Sequence, residues 1–349
     1  MDYEIVIGLE IHVELLTLSK LFCGCSTVFG EQPNINTCPV CLGLPGTLPV
    51  LNRRAVELAV RAALALHSDV QEKSIFARKN YFYPDLPKAY QISQHDRPLS
   101  RGGFLELDFP GGSRRVRLER VHLEEEAGKL VHAGDSILEA AYSLVDYNRA
   151  GIPLMEIVTL PDLRSGKEAR LFLEELRLVL LYAGVSDCKM EEGSLRCDAN
   201  ISLRPVGCSK LGIKTEVKNM NSFRAVEQAL DSEARRQEEI LSGGGQVSPA
   251  TCHWDEESRL TVPIREKGSS ADYRYFPEPD LPPLVLKSSL IEQLRADLPE
   301  LPPQRRQRLQ EQYALGQPEA IILTSSPEMA NFFEEAAKHY RDYRNLANW

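Results

Sequence analysis

Residues Tyr3–Ser26 read YEIVIGLEIHVELLTLSKLFCGCS, and the first half of this stretch decides the fold. Ile5, Ile7, Leu9, Ile11, Val13 and Leu15 recur with a period of two, while Glu4, Gly8, Glu10, His12 and Glu14 lie between them. That alternation predicts a β-strand with one face in a core and one polar face. Two readings fit the polar face. Antiparallel sheets often show one polar face to water, or the acids and the imidazole face a ligand. What the rest of the chain brings to the same face decides between them.

The chain has 349 residues, 43% of them hydrophobic, which is enough for a large core and for more than one domain. No apolar run approaches the ~20 residues of a membrane helix. The N-terminus carries acids where a signal peptide carries bases, so the expectation is a cytoplasmic protein with no membrane partner. A formal net charge of −9 argues against a protein that coats nucleic acid with positive charge, but leaves room for a local RNA contact. Arginines cluster in SRRVRLER (Ser113–Arg120) and in PQRRQRL (Pro303–Leu309), the second reading as a solvated helix face.

Four of the eight cysteines are grouped. Cys23 and Cys25 form C-x-C, and after a gap of twelve residues Cys38 and Cys41 form C-x-x-C within CPVCLGLPG. In a long chain with no secretion signal this spacing reads as metal binding before disulfides. Four thiolates suit a closed, tetrahedral, structural zinc site, with Pro39 and Gly43 shaping the turn. Four reduced cysteines without metal are the other reading. Cys188, Cys197, Cys208 and Cys252 are scattered and read as structural.

Helical periodicity runs through Asn52–Val70, Ser165–Ser186 (with Gly184 as a stop) and the segment 222–245, which ends at Gly243. ARKNYFYPDLPKAYQISQ reads as an aromatic, proline-rich loop. Residues 104–124 read as a hairpin turning at Pro110-Gly111-Gly112, and LRCDANISLRP and GIKTEVKNM as further strands. After the proline-rich YFPEPDLPPLVL the composition turns helical, which places a domain boundary near residue 287.

Acids recur inside these core-like strands. HLEEEAGKL holds Glu124, Glu125 and Glu126, and VDYNRAGIPLMEIV holds Asp146 and Glu156. Alternation puts Arg196, Asp198, Asn200 and Ser202 on one face of their strand, and Lys214, Glu216 and Lys218 on one face of theirs. Carboxylates packed together repel and favour a cation. Oxygen ligands with one imidazole suit magnesium held with nucleotide phosphates. No G-x-x-x-x-G-K-[ST] and no kinase signature set is present, so ATP would lie on the sheet, with Arg149, Arg196, Lys214 and Lys218 as phosphate partners or as salt-bridge partners of neighbouring acids.

The segments GLEIHVEL…SKLFCGCS, CPVCLGLPGTLPVLN, NYFYPDLPKAYQISQ, HLEEEAGK, VDYNRAGIPLMEIV, RCDANISLRP, TEVKNMNSF and DYRYFPEPDLPPL resemble, in order and over nearly the whole chain, the B subunits of the glutamyl-tRNA(Gln)/aspartyl-tRNA(Asn) amidotransferases. The resemblance implies an α+β cradle similar to glutamine synthetase and guanido kinases, with a mainly antiparallel sheet, over residues 1–287. A zinc knuckle at 23–41 sits within it. A helical domain follows over 288–349, ending before the family's tRNA-binding tail domain. The implied function is ATP-dependent phosphorylation of the side-chain carboxylate of misacylated Glu-tRNA(Gln) or Asp-tRNA(Asn), then amidation by ammonia. Glu10, His12, Glu125 and Glu216 are the implied catalytic residues. Glu10, His12, Glu124, Glu125, Glu156, Asp198 and Glu216 are the implied magnesium ligands, and Cys23, Cys25, Cys38 and Cys41 the zinc ligands. The implied partners are misacylated tRNA, the amidase (A) subunit, and the small C subunit.

An acyl phosphate hydrolyses in water, so ammonia should arrive by a protected path. The loop Tyr81–Tyr90, with Lys79 and Lys88, reads equally as a gate for it and as a packed surface loop. KGSSAD (Lys267–Asp272) is too short to be an amidase Ser-Ser-Lys constellation, and no glutaminase nucleophile elbow is present. Glutamine hydrolysis is therefore expected of another subunit. The absence of a large insertion favours the bacterial or organellar form over the archaeal one. Two rival functions share some of these features: a free-standing carboxylate–amine ligase acting on a small metabolite, and a zinc-stabilised RNA-binding scaffold.

Overall fold

The alternating N-terminal stretch forms the centre of a ten-stranded sheet. The computed structural model describes residues 2–109, 112–133, 140–266 and 272–349. In chain order the elements begin with β1 (Tyr3–Glu14), α1 (Arg53–Ala65), β2 (Asp69–Val70), β3 (Lys73–Ser74), β4 (Ala77–Asn80), β5 (Tyr90–Ser93), β6 (Ser100–Arg101), β7 (Phe104–Phe109) and β8 (Gly112–Glu125). There follow β9 (Lys129–His132), β10 (Ser143–Asp146), β11 (Pro153–Thr159), α2 (Gly166–Tyr182), β12 (Leu195–Pro205), β13 (Thr215–Lys218) and α3 (Phe223–Ser242). The remainder is β14 (Ala250–Asp255), β15 (Leu260–Glu266), β16 (Phe276–Pro277), β17 (Leu284–Val285), α4 (Ser288–Ala296), α5 (Pro302–Tyr313), α6 (Gln317–Leu323), α7 (Pro327–Ala337) and α8 (Tyr343–Asn348).

The main sheet has the order β15-β14-β13-β12-β1-β11-β8-β6-β2, with β7 paired to β8 off that path. Its pairs are antiparallel except β13–β14. The architecture is thus mixed α and β, built on a large, mostly antiparallel sheet. Ile7, Leu9, Ile11 and Val13 of β1 are buried in one cluster with Leu58 of α1, Leu176 and Leu180 of α2, and Val226 and Leu230 of α3. The apolar phase of β1 therefore fixes which side takes the helices, and its polar phase faces the other way.

Local signals set the helix ends. Asn52, Ser165 and Ser222 cap α1, α2 and α3 through side-chain oxygens that accept backbone N–H groups. Gly184, at φ +64°, ends the α2 segment. Three expectations need correction. The helix expected over Asn52–Val70 stops at Ala65, because His67 adopts φ +55° and Asp69–Val70 pairs with Arg101–Ser100. The aromatic loop is flanked by a strand pair, β4–β5, whose register joins Ala77 to Ser93 and Asn80 to Tyr90. The prolines occupy only the connection, so alternation on either side survives. Lys214 precedes β13 and does not share a strand face with Glu216 and Lys218. Part of the expected turn (Pro110 and Gly111) and most of KGSSAD (residues 267–271) lie outside the described residues.

Ile291 and Leu294 of α4 join the main core. A second cluster of Leu309, Leu315, Leu323 and Phe333 begins only with α5, beyond the division expected near residue 287. Arg306 ties α5 to Glu175 of α2 at 2.8 Å. Among the described residues, no helix is long and apolar enough to cross a membrane.

One buried acid serves the fold. Glu233 of α3 is fully buried and accepts hydrogen bonds from Arg236, Gln237 and Thr261 at 2.6–2.9 Å. Burial alone would raise its carboxyl; these donors outweigh burial and hold it below its ordinary value of 4.5. Its contribution is therefore present above pH 4.5 and is lost as pH falls through the depressed folded value. Glu233→Ala should cost roughly 3–5 kcal/mol at pH 7. In urea titrations the gap to the parent should narrow below pH 4.5. A gap that does not change with pH would remove the charged form from the account.

Candidate functional site

The polar residues of β1 meet those of its neighbours in register. His12 stands opposite Glu156 of β11 on one side and Arg196 of β12 on the other. Glu10 stands opposite Val158 and Asp198. Glu156 in turn stands opposite His122 of β8, and Asn200 opposite Glu216 of β13. Residues distant in sequence thus fall in rows across one face, because side chains in register on adjacent strands point the same way.

Three of the expected ligands converge. His12 Nε2 lies 3.4 Å from Glu124 Oε1 and 3.8 Å from Glu156 Oε2, and one ligand atom from each of the three can lie within 4.8 Å of the others. Glu124 and Glu156 are buried and His12 half-buried. Ser93 donates to Glu124 at 3.2 Å. Burial alone would raise the Glu156 carboxyl, but His122, His12 and Lys79 outweigh it and hold it well below the usual range. Lys79 is raised against its own burial by Glu124 and Glu156, among others. Glu156 is thus faced by His122, His12 and Lys79 at once. One half-buried imidazole and two buried carboxylates fit a divalent cation.

The other expected ligands stand apart from this trio. Glu125, next to Glu124 on the strand, points to the opposite side. It accepts from Lys88 Nζ at 2.5 and 2.6 Å and from the Ile92 backbone N–H at 2.8 Å. Glu10 accepts from Asn200 at 2.9 Å, and Asp198 pairs with Lys218 at 2.5 Å. Glu216 accepts from Thr251 at 3.1 Å and lies 3.2 Å from Lys218. Glu10, Asp198 and Glu216, expected with the trio as magnesium ligands, are therefore a neighbouring row of paired groups.

The expected phosphate partners are similarly engaged. Arg196 pairs with buried Glu126, and Arg149 lies 3.8 Å from Glu126 while donating to the Ala127 and Gly128 carbonyls. Lys214 is exposed and lines a cleft with Glu10, Asn200 and Ser202. Beside the Arg196–Glu126 pair, Glu14 is half-buried, and burial, then Glu126, pushes its carboxyl up to about 7.

His122 is a residue of the site that the sequence reading misses. It is buried, faces the same row and lies 3.1 Å from Glu156. The signal is present all the same: His122 and Glu124 are two apart on one strand, the same spacing as Glu10 and His12.

The cysteine quartet also converges, each thiol offering a ligand atom within 4.8 Å of the rest. Hydrogen bonding to Cys41 and burial push the Cys23 thiol far up, and burial pushes Cys25 up to about 11. Cys41 is held down to about 4, first by Cys23 and against its own burial, with Lys20 contributing. Without a cation, then, four thiols so close cannot all ionise. Lys20 packs against the same cluster. It is fully buried, and its Nζ donates to the Asn36 and Tyr147 carbonyls at 2.7 and 3.2 Å and to Cys41 Sγ at 3.6 Å. No carboxylate pairs with it among the described ion pairs. A buried ammonium needs a counter-charge, and a metal-bound thiolate cluster supplies it, so the quartet fits zinc.

The knuckle and the 81–90 loop are in contact. Gly43 has φ +67°, and a Cβ there would come 2.3 Å from Lys88 Cγ. Lys88 in turn holds Glu125, so the knuckle borders the cleft that receives this ion pair.

Comparison with known proteins gives consistent matches. The family model described as the GatB/GatE catalytic domain matches residues 5–292. A protein of Carboxydothermus hydrogenoformans, named as the B subunit of the aspartyl/glutamyl-tRNA(Asn/Gln) amidotransferase, is 56% identical, over all of this chain and 72% of its own length. Its namesakes from Moorella thermoacetica and Caldanaerobacter subterraneus are 55% and 53% identical, over all of this chain and 73% and 72% of their lengths.

Proposed function

The chain belongs to the GatB/GatE catalytic-domain family, and on that footing we propose that it is the subunit of a tRNA-dependent amidotransferase that activates and amidates the side-chain carboxylate of misacylated Glu-tRNA(Gln) or Asp-tRNA(Asn). The observation that carries the reading is the His12–Glu124–Glu156 convergence on the sheet face of a chain 56% identical to a protein named as the B subunit of such an enzyme. The fold is read as the family's cradle over residues 1–287, followed by the helical unit of 288–349.

In the first step a carboxylate oxygen of the aminoacyl side chain attacks the γ-phosphorus of ATP, forming an acyl phosphate and releasing ADP. In the second, ammonia attacks the acyl carbon and phosphate leaves with the bonding pair. His12, Glu124 and Glu156 would hold a magnesium ion, which when bound neutralises the phosphoryl group in flight. Glu10, Asp198 and Glu216, in the adjoining row, would hold a second cation, and Lys218, which now pairs with two of them, would serve phosphate. Glu216 and Glu10 thus keep the catalytic roles expected of them, and Arg149, Arg196, Lys214 and Lys218 remain the partners for nucleotide phosphates.

Glu125 takes a different place in this reading. Its short pair with Lys88 lines the cleft between the knuckle and the 81–90 loop. Opening that pair would admit ammonia to the buried side of the cation site while keeping bulk water out. Zinc held by Cys23, Cys25, Cys38 and Cys41 would be structural and would brace the wall of this passage.

Ammonia comes from an amidase partner, and a small third subunit joins the assembly. The four cysteines outside the knuckle supply no nucleophile for glutamine. Cys252 is buried on β14 and its neighbour His253 faces the other side. The test is glutamate release from glutamine by this chain alone and with the amidase partner added, alongside ADP formation with misacylated tRNA. Release only with the amidase, and ADP formation only with aminoacyl-tRNA, are expected. Glutamate release by the isolated chain would overturn the division of labour. ADP formation with a small free amino acid would favour a metabolite ligase.

A further inference from the structure

His122 has no part in the roles assigned above, yet its placement is specific. The ring is 2% exposed, with Nε2 at 3.1 Å from Glu156 Oε2 and 3.9 Å from Glu124 Oε2. Its Nδ1 is buried with no hydrogen-bond partner. In register His122 and His12 both stand opposite Glu156, from β8 and from β1. One carboxylate is thus flanked by two imidazoles in a single row across three strands.

The tautomer follows from these contacts. With the proton on Nδ1, the N–H would aim at nothing, and the Nε2 lone pair would face a carboxylate oxygen at 3.1 Å. With the proton on Nε2, the ring donates to Glu156 and only a bare lone pair at Nδ1 is left without a partner. The second arrangement avoids the lone-pair repulsion and leaves no donor unsatisfied. A nitrogen that donates its proton to a carboxylate does not ligate a metal at the same time. A buried imidazole with one unsatisfied nitrogen costs desolvation that packing alone does not require, since an aliphatic side chain would fill the same space.

We propose that His122 is a positioning residue for the cation centre: its Nε2–H holds the Glu156 carboxylate in the orientation that converges with Glu124 and His12, and His122 itself stays outside the coordination sphere. The proposal rests on the reading of that trio as a divalent-cation site. It inverts the usual arrangement, in which a carboxylate orients a ligating histidine.

The test uses Mn²⁺ as the probe and binding as the readout. The full chain, His122→Leu and His122→Gln are titrated with Mn²⁺ and followed by electron paramagnetic resonance, with metal-free melting curves recorded for each. His122→Leu should bind Mn²⁺ about 10–100-fold more weakly, the usual loss for an outer-shell partner. His122→Gln, whose amide N–H can reach Glu156, should stay within a few-fold of the parent. Pulsed measurements on the parent should show one coordinated imidazole nitrogen, that of His12. Unchanged affinity in His122→Leu, equal losses in both variants, or two coordinated imidazoles would each overturn the positioning role. Failure of the parent chain to bind Mn²⁺ would instead bring down the cation reading of the trio, and this proposal with it.

Discussion

Glu124→Gln and Glu156→Gln should each abolish ATP-dependent activation, with kcat/KM for ADP formation lowered at least about a thousandfold, or roughly 4 kcal/mol of transition-state stabilisation. Glutamine keeps the shape of each side chain and removes the charge that a cation needs. Glu10→Gln and Glu216→Gln should act in the same direction, because each removes a carboxylate charge from the adjoining row. Affinity for tRNA should change little, since phosphate contacts dominate that binding and these acids are proposed to face a cation. ADP formation at saturating Mg²⁺ by all four variants would return the face to the simpler reading, a polar sheet surface in water. A loss confined to Glu124 and Glu156 would point to one cation and not two.

Removal of the knuckle metal should be as large an effect, on folding. Structural zinc carries roughly 10–16 kcal/mol of apparent binding energy in small model sites, comparable with the ~5–15 kcal/mol by which whole domains are stable. Cys41→Ser removes a ligand and leaves the Lys20 ammonium, 3.6 Å from the sulfur, without its counter-charge. The damage should spread, because the knuckle is stitched to the segment before β11. Asn34 N–H donates to Asp146, Asn36 N–H to Asn148, and Leu21 N–H to the Gly151 carbonyl, at 2.8–3.0 Å. The midpoint of thermal unfolding should fall by on the order of 10 °C or more. Cys38→Ser should do the same by the same route. Molecules that remain folded should keep their ADP-forming chemistry. Purified parent protein with no bound zinc by elemental analysis would end this account.

Much of the fold is legible in the sequence because its strongest signal has the shortest period. The alternation of β1 needs no partner to be read, and the caps Asn52, Ser165 and Ser222 mark helix starts by their own side chains. The cysteine quartet is legible for a similar reason, since its spacing is local. The acids are harder. In Glu124-Glu125-Glu126 every phase of the alternation places an acid on either face, so sequence alone does not say which one joins His12. The register of β8 against β11 decides it, bringing Leu154 opposite Glu124 and Glu156 opposite His122. Register is a property of two strands, and neither strand contains it. The same holds for the pairing of Lys88 with Glu125, which depends on β5 running beside the end of β8. The end of α1 escapes the sequence because His67 breaks the helix by adopting a left-handed conformation in a run whose periodicity continues.

The position of β1 has a consequence in time. It is the earliest strand of the sheet to be synthesised, yet its ladder partners are Pro153–Thr159 on one side and Leu195–Pro205 on the other. At synthesis rates of about 5–20 residues per second, the strand waits roughly 10–40 s for its second neighbour to be made. Until Pro153–Thr159 is made, Ile7, Leu9, Ile11 and Val13, all buried in the finished molecule, have no neighbouring strand of their ladder to join. The acids and the histidine of the opposite phase then serve a purpose before any chemistry is possible. They keep a nascent strand with two open edges charged, and charge on an exposed strand is what discourages pairing with another chain.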